Sequence, residues 1–179
     1  MLKKDDTMKL IQISILCFLV VLGCTPPGKN FLVKTKNGYE KKHELRIEDL
    51  EVLINGGYRK YDSLYRLIIH IEIDNNGNMP IGLNVDSLKL LSRNYQVQFD
   101  RFRAFDMSHQ KELLGTENGS ISVDSKSQVN STFYFLANTL TNDERDLVKS
   151  EVLQLFIEFE NGSESTQLGP IELIPESAS

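Results

Sequence analysis

The sequence predicts an all-β fold, an antiparallel β-sandwich of about eight or nine strands with one short helix. Apolar residues alternate with polar ones in two long runs, at 65–74 and 153–160. This period of two is typical of strands that bury one face. Turn-forming residues separate these runs from shorter apolar ones, and no regular succession of helices interrupts the strands. Such a chain buries its apolar faces by packing one sheet on another.

Shorter runs rich in β-branched and aromatic residues complete the predicted sheets. They span residues 45–54, 81–85, 88–91, 95–99, 121–123, 128–136 and 167–173. Asn161-Gly162 separates the last two predicted strands. Both of these positions tolerate positive φ, so the pair predicts a hairpin turn.

One short helix is predicted between residues 136 and 151. Thr141 and Glu144 have the spacing of a capping box, in which a hydroxyl and a carboxylate bond the free N–H groups at a helix start. Leu147 and Val148 can then pack on the sandwich. The helix connects two strands, and no function is predicted for it.

Residues 1–23 have the three parts of an export signal. Lysines at positions 3, 4 and 9 precede an apolar segment at 10–22, and the small residue Gly23 ends it. As a helix, this segment reaches about 20 Å of the roughly 30 Å that a bilayer core requires. The sequence therefore predicts a cleaved signal peptide, and it leaves open whether translation starts at Met1 or Met8.

The four residues that end at Cys24 resemble the lipobox of bacterial lipoproteins. Val21 is aliphatic and Gly23 is small, although Leu22 is bulkier than the usual second residue. The resemblance implies that signal peptidase recognises these three residues and that Cys24 carries a diacylglyceryl group and a further acyl chain such as palmitate. Two chains give stable membrane anchoring. Thr25, by resemblance to the proteobacterial sorting pattern, favours the outer membrane of the cell envelope; an ordinary secretory leader or a short uncleaved anchor is the alternative.

The chain after the leader divides into a tether at 24–43 and one sandwich domain at 44–179. The tether opens with Thr25-Pro26-Pro27-Gly28, which resists regular structure, and residues 25–43 hold five lysines against Glu40, a net charge of +4. The domain holds 12 basic and 22 acidic side chains, a net charge of −10. We therefore expect the tether to be drawn to anionic lipid, a solvated stalk being the alternative. An acidic domain argues against nucleic acid as a partner.

The cysteine count excludes several chemistries. Cys17 lies in the leader and Cys24 is consumed by lipid, so the mature chain is predicted to have no disulfide, thiolate nucleophile or cysteine metal site.

The order of elements over residues 45–160 resembles the telokin-like, immunoglobulin-type sandwiches of secreted bacterial proteins. A long amphipathic strand ends in the Asn-rich turn at 74–78, residues 81–90 follow, and a polar stretch leads to a strand at 129–135. The plant-type late-embryogenesis sandwich shares this pattern. The resemblance implies a fold and does not select an activity.

The sequence predicts no enzyme, no cofactor and no metal site. His43, His70 and His109 are far apart in sequence, and spacing suggests no carboxylate partner for them. Residues 74–78 have the spacing that begins a calcium loop, but Met79 stands where glycine is required.

One segment combines arginines and aromatic residues in the pattern of protein-interaction hot spots. This candidate partner-binding segment contains Phe99, Arg101, Phe102, Arg103 and Phe105. The alternative is an edge strand whose phenylalanines are core. Ser63 and Ser87, each in an Asp-Ser-Leu sequence, are candidate O-glycosylation sites by resemblance to the acceptor of one bacterial group.

Together these patterns predict a non-catalytic envelope lipoprotein that is anchored to a membrane and binds another envelope protein or a cell-wall or surface component. A small-ligand or glycan binder that uses residues 99–105 is the first alternative, and it requires a cleft lined by those rings. An undetected hydrolase is the second, and it requires hydrogen-bonded titratable groups in one cleft.

Overall fold

The computed structural model describes residues 28–61, 64–92, 95–113, 119–136 and 152–176. Across these ranges the chain forms 13 antiparallel β-strands and no helix. The strands are β1 (Gly28–Thr35), β2 (Gly38–Glu40), β3 (His43–Ile47), β4 (Leu50–Tyr61), β5 (Leu64–Asn75), β6 (Ile81–Ser92), β7 (Tyr95–Gln96), β8 (Gln98–Asp106), β9 (Lys111–Leu113), β10 (Ser120–Val123), β11 (Ser127–Leu136), β12 (Leu153–Asn161) and β13 (Glu164–Pro175).

The prediction of an all-β antiparallel fold is confirmed, whereas the predicted count of eight or nine strands is wrong. The predicted strand at 45–54 is divided by the Glu48–Asp49 turn, where Glu48 has a positive φ of 51°. Short strands such as β2, β7 and β9 have two or three residues, too few for a sequence period to mark them. The helix predicted around Thr141 lies outside the described residues. The immunoglobulin-type assignment stays a prediction.

The strands form two sheets that share one strand. The first sheet has the order β3-β4-β5-β11-β8-β9, and the second has the order β10-β6-β12-β13-β1. In the second sheet β2 also pairs with β1, and β7 pairs with β6. Residues 28–30 of β1 pair with β4, and residues 31–33 pair with β13. Because β1 pairs with both sheets in succession, it closes one side of the fold.

The tether predicted at 24–43 is wrong over residues 28–43, which form β1, β2 and the start of β3. Phe31 and Val33 are fully buried in the common core, and burial of such side chains stabilises a fold by about 1.5–3 kcal/mol each. Two of the tether lysines also pair with acids of the domain. Lys34 Nζ lies 2.8 Å from Glu172, which raises the pKa of Lys34 through its hydrogen bond and charge, and Lys41 Nζ lies 3.4 Å from Glu176.

Both predicted long strands are present, and their period of two sets the core. In β5, Leu67, Ile69, Ile71 and Ile73 point inward, and β11 buries every second residue from Ser127 to Phe135. β12 alternates in the same way from Leu153 to Phe159. Side chains of both sheets join one apolar cluster, so the sandwich has a common core.

Asn161 pairs with Glu164 across the Gly162 turn, which confirms the predicted hairpin.

The two ends of the fold lie far apart. Gly28 pairs with Arg59, which pairs with Arg66 near the start of β5, whereas Asn75 ends that strand. At about 3.3 Å per residue, Arg66 and Asn75 are roughly 30 Å apart. We call the end at Gly28 the entry end and the end at Asn75 the distal end.

Within the residues described, no helix is long and apolar enough to span a bilayer.

Candidate functional site

Several of the predicted site residues lie outside the described residues. These are Val21, Leu22, Gly23, Cys24 and Ser63. Ser87 is half-buried in β6, and its hydroxyl donates a hydrogen bond of 3.1 Å to the Asn84 carbonyl. O-glycosylation of Ser87 and lipidation of Cys24 stay predictions.

The candidate partner-binding segment lies on β8, where a bulge at Asp100 sorts its side chains between the two faces. Tyr134 of β11 is opposite Arg101, and Phe135 is opposite Phe99, so that Asp100 is the extra residue. In a regular strand Phe99 and Arg101 would share a face. The bulge shifts the alternation by one residue and turns Arg101 outward.

Phe99 and Phe102 consequently pack inward, which corrects their prediction as partner-binding residues. The Phe99 ring lies 5.7 Å from that of Phe135 in an edge-on arrangement, and the Phe102 ring stacks on Phe133 at 5.9 Å. Both are partly buried against the common core. Arg101, Arg103 and Phe105 point to solvent, and Phe105 keeps 37% of its surface exposed.

Arg101 is held in place on the outer face. Its guanidinium carbon lies 5.3 Å from the centroid of the Tyr134 ring, a cation–π contact that stabilises by about 0.5–1 kcal/mol at an exposed site. Its Nε lies 3.9 Å from Asp100, and Arg66 approaches the same carboxylate at 3.7 Å. Arg103 is exposed and has no hydrogen bond or ion pair with any residue that the structure describes. We call Arg101, Arg103, Phe105 and Tyr134 the arginine patch.

A polar row continues from Arg103 across the outer face of the first sheet. Arg103 is opposite Thr132, Thr132 is opposite His70, and His70 is opposite Asn55. His70 Nδ1 lies 3.0 Å from Thr132 Oγ1. Desolvation by neighbouring side chains and the charge of Arg59 lower the pKa of His70 below 6.5, so its ring is neutral at pH 7.

This row borders a shallow depression of about 280 Å³. Its lining includes amide, imidazole, carboxylate and hydroxyl groups, from Asn55, His70, Glu72, Asn130 and Thr132. Glu72 accepts a 2.6 Å hydrogen bond from Gln128 Nε2. The predicted cleft lined by the phenylalanine rings is wrong for Phe99 and Phe102, which face the core.

The charge of this outer face changes sign along the strands. Arg101 lies toward the entry end and Arg103 near the middle of the sheet, whereas acidic side chains surround a second depression toward the distal end. That depression is lined by Glu44, Glu51, Leu53, Glu72, Asp74 and Gln128. Arg46 bridges Glu44 and Glu51 at 3.0 Å each, so part of this acidic surface is already paired.

A second group of polar side chains meets at the distal end, and sequence spacing did not predict it. Asp106 and Asp124 offer carboxylate oxygens, and His109 offers a ring nitrogen, that all lie within 4.8 Å of one another. His109 therefore has carboxylate partners, contrary to the expectation from sequence. The three-residue separation of Asp106 and His109 could have indicated this pair from the sequence. Asp124 lies in a different turn, so no local spacing could have indicated it.

His109 and Asp106 shift each other's pKa. The hydrogen bond to Asp106 and the negative charge of that carboxylate raise the pKa of His109 above 6.5. Burial raises the pKa of Asp106, but hydrogen bonds from the His109 side chain and backbone, with its charge, outweigh this effect and lower the pKa overall. The two groups therefore favour each other's charged form.

No protein-family model matches the sequence, and no curated protein is similar to it. Two solved structures resemble the fold distantly. A functionally unknown protein from Listeria monocytogenes EGD-e has a TM-score of 0.47 and 13% identity, over 84% of this chain and 87% of that chain. An uncharacterized β-sandwich protein from Clostridium difficile 630 has a TM-score of 0.36 and 12% identity, over 70% of this chain and 87% of that chain. Both similarities are too distant to carry an argument about function.

Proposed function

We propose that this chain is an envelope lipoprotein, anchored through Cys24, whose immunoglobulin-type sandwich is a non-catalytic binding domain for another envelope protein or a surface component. The contact surface is the arginine patch on the outer face of the first sheet. By the sorting pattern at Thr25, the membrane is the outer membrane where the host has one.

The proposal depends on the exposure of Arg103 and on the ordered position of Arg101. Arg103 is exposed and unpaired within the described part of the chain, and Arg101 beside it is pre-positioned by the Tyr134 ring. A side chain that is already ordered loses less entropy when a partner binds. Arginine and tyrosine also contribute a large share of binding energy at protein interfaces.

The surrounding charge favours an acidic or polar partner group at this patch. The domain as a whole carries a net charge of −10 over residues 44–179, so an exposed arginine pair is a local exception. A carboxylate or phosphate can accept two parallel hydrogen bonds from one guanidinium. Elsewhere on its surface the acidic domain repels an acidic partner. This repulsion restricts binding to the orientation that places the partner's acidic group on the arginine patch.

The position of β1 supports anchoring at the entry end. Gly28 begins β1 beside Arg59, and only three residues separate it from Cys24. An anchor at Cys24 therefore leaves the distal end, roughly 30 Å away along β5, facing away from the membrane. The arginine patch lies on the side of the sandwich between these ends.

The anchoring part is tested by labelling cells that express the chain with radioactive palmitate. We expect label in the wild-type protein and its loss in Cys24→Ser, which should also leave the membrane fraction. A wild-type protein without label, or a Cys24→Ser protein that fractionates unchanged, contradicts anchoring.

The binding part is tested by cross-linking in the native host, followed by identification of the captured material. Arg101→Ala with Arg103→Ala should abolish capture of a component that the wild-type protein retains. Lys89→Ala is the matched control, because Lys89 is exposed on β6 of the other sheet. Equal capture by the double variant and the wild-type protein contradicts a role for the patch.

A glycan-binding function is the second candidate, and the polar depression beside Arg103 favours it. Asn130 lines this depression, and its Oδ1 atom is buried and has no hydrogen-bond partner among the described residues. Amide, hydroxyl and carboxylate groups are the groups that bond sugar hydroxyls. Isolated cell-wall glycan should then bind the wild-type protein and lose affinity for Asn55→Ala, while the arginine double variant keeps it. No glycan binding by the wild-type protein, or loss of binding only in the arginine double variant, contradicts a glycan site in this depression.

A further inference from the structure

We propose that Asp106, His109 and Asp124 form a binding site for a zinc-like divalent transition-metal ion at the distal end of the sandwich. The donor atoms of the three side chains lie within 4.8 Å of one another. Zinc is bound by imidazole nitrogen and carboxylate oxygen at about 2.0–2.2 Å, so small side-chain rotations bring all three donors to one ion.

Asp106 is the fixed part of this site. It ends β8 and is buried, and its Oδ1 accepts hydrogen bonds from the backbone N–H groups of Ser108 and His109, at 2.9 and 3.0 Å. These two bonds hold the carboxylate plane and shape the turn that carries His109. They leave Oδ2 directed toward the His109 ring.

His109 and Asp124 are the adjustable parts. His109 Nδ1 lies 2.7 Å from Asp106 Oδ2, and the ring is otherwise exposed. A metal ion at this point takes the place of the shared proton, and the ring nitrogen and carboxylate oxygen separate by under about 1 Å to bind it. Asp124 is exposed, and its backbone carbonyl accepts hydrogen bonds from Asn75 and Ser127, which leaves its side chain able to turn.

The donor set selects the class of ion. Calcium and magnesium prefer sites built from oxygen atoms, whereas an imidazole nitrogen with carboxylates suits zinc and its first-row neighbours. Three protein donors leave a coordination position for water or for a group of another molecule.

The three donors come from different parts of the fold. Asp106 ends β8 and His109 lies in the turn between β8 and β9 of the first sheet, while Asp124 follows β10 of the second sheet. A bound ion therefore links the two sheets at the end that lies farthest from Gly28. The expected consequence is a thermal unfolding temperature that rises with the zinc concentration.

The test is a calorimetric titration of the full chain, purified in detergent and freed of metal, with zinc chloride at pH 7.5. We expect one ion per chain, and at least about tenfold weaker binding in both His109→Gln and Asp124→Asn. His43→Gln is the matched control, because His43 lies on β3 outside the cluster, and it should bind as the wild-type protein does. Asp106 is left intact because it also holds the turn.

The same proteins are compared by thermal unfolding with and without zinc. Asp124→Asn should unfold at the wild-type temperature without metal and lose the rise that zinc causes, which separates a lost ligand from a damaged fold. Calcium chloride should produce no saturable heat. Absence of stoichiometric zinc binding by the wild-type protein, or equal binding by His109→Gln, overturns the proposal.

Discussion

Asn75 of the first sheet donates a 3.1 Å hydrogen bond from its buried Nδ2 to the carbonyl of Val123 in the second sheet. The same nitrogen also lies 2.9 Å from the Met79 carbonyl and 3.1 Å from that of Asp124. Its Oδ1 accepts from Gly77 N–H at 3.0 Å. One side chain therefore joins the two sheets and shapes the turn at 76–80. Asparagine suits this position because its amide both donates and accepts.

Replacement of Asn75 by alanine should lower the free energy of unfolding by about 3 kcal/mol, because buried carbonyls and one N–H group lose their partner. Asn75→Asp should cost at least as much, since it retains the acceptor but places a carboxylate against carbonyl oxygens. Urea denaturation measures both. Asn78→Ala, at an exposed position of the same turn, should change stability by less than about 0.5 kcal/mol; an equal effect at both positions contradicts this role.

Phe133→Ala should destabilise the fold by about 4 kcal/mol, because it leaves a cavity in the centre of the core. Phe133 is fully buried and contacts the rings of Phe99 and Phe102. Phe105→Ala is the comparison on the outer face, where we expect a loss below about 1 kcal/mol. Thermal or urea unfolding distinguishes the two, and similar losses would contradict the placement of Phe133 in the core and of Phe105 on the outer face.

Gly56→Ala should destabilise the protein by about 2 kcal/mol through overpacking. A Cβ at Gly56 would lie 2.6 Å from the Ile68 carbonyl oxygen and 2.9 Å from Ile69 Cδ1, and the backbone atom cannot turn aside. Gly162→Ala isolates the other cost of a glycine replacement. Gly162 has a φ of 63° and open space around it, so we expect about 1 kcal/mol from backbone strain alone. Urea denaturation should rank the two in this order.

His70 should make the fold less stable as the pH falls. Its pKa is lowered by desolvation and by Arg59, so protonation favours the unfolded chain, whose histidine titrates near 6.5. The full stability is present above that pH and is lost as the pH falls through the lower pKa of the folded state. The charged groups around the ring include Arg59, Arg103 and Glu72.

An NMR titration of the His70 ring protons measures this pKa directly. Arg59→Gln should raise the pKa, because it removes a positive charge near the ring. In His70→Gln, the decrease of stability between pH 7 and pH 5 should become smaller. A His70 pKa at or above 6.5 in the wild-type protein contradicts the assigned environment.

The alternation of apolar residues was enough to predict the strands around 65–74, 128–136 and 153–160, because a half-buried strand repeats its burial every two residues. It was not enough for β1. Phe31 and Val33 sit among lysines after a proline pair, and the strands that bury them, β4 and β13, are distant in sequence. Local composition therefore favoured a tether, and pairing with those strands made a core strand.

The candidate site was also only partly predictable from the sequence. The sequence indicated Arg101 and Arg103 as a pair, but the bulge at Asp100 decided that they point outward while Phe99 and Phe102 point inward. A bulge is set by the register with the neighbouring strand, which local sequence does not contain.

By itself, the sequence determined the strands around 65–74, 128–136 and 153–160, where the Asn161-Gly162 hairpin turns, and how charge divides along the chain. Only the tertiary structure decided that β1 joins the two sheets, and that Asp124 meets Asp106 and His109. The reason is that strand periodicity and turn chemistry are properties of neighbouring residues, whereas pairing register and the meeting of loops depend on contacts between residues far apart in the chain.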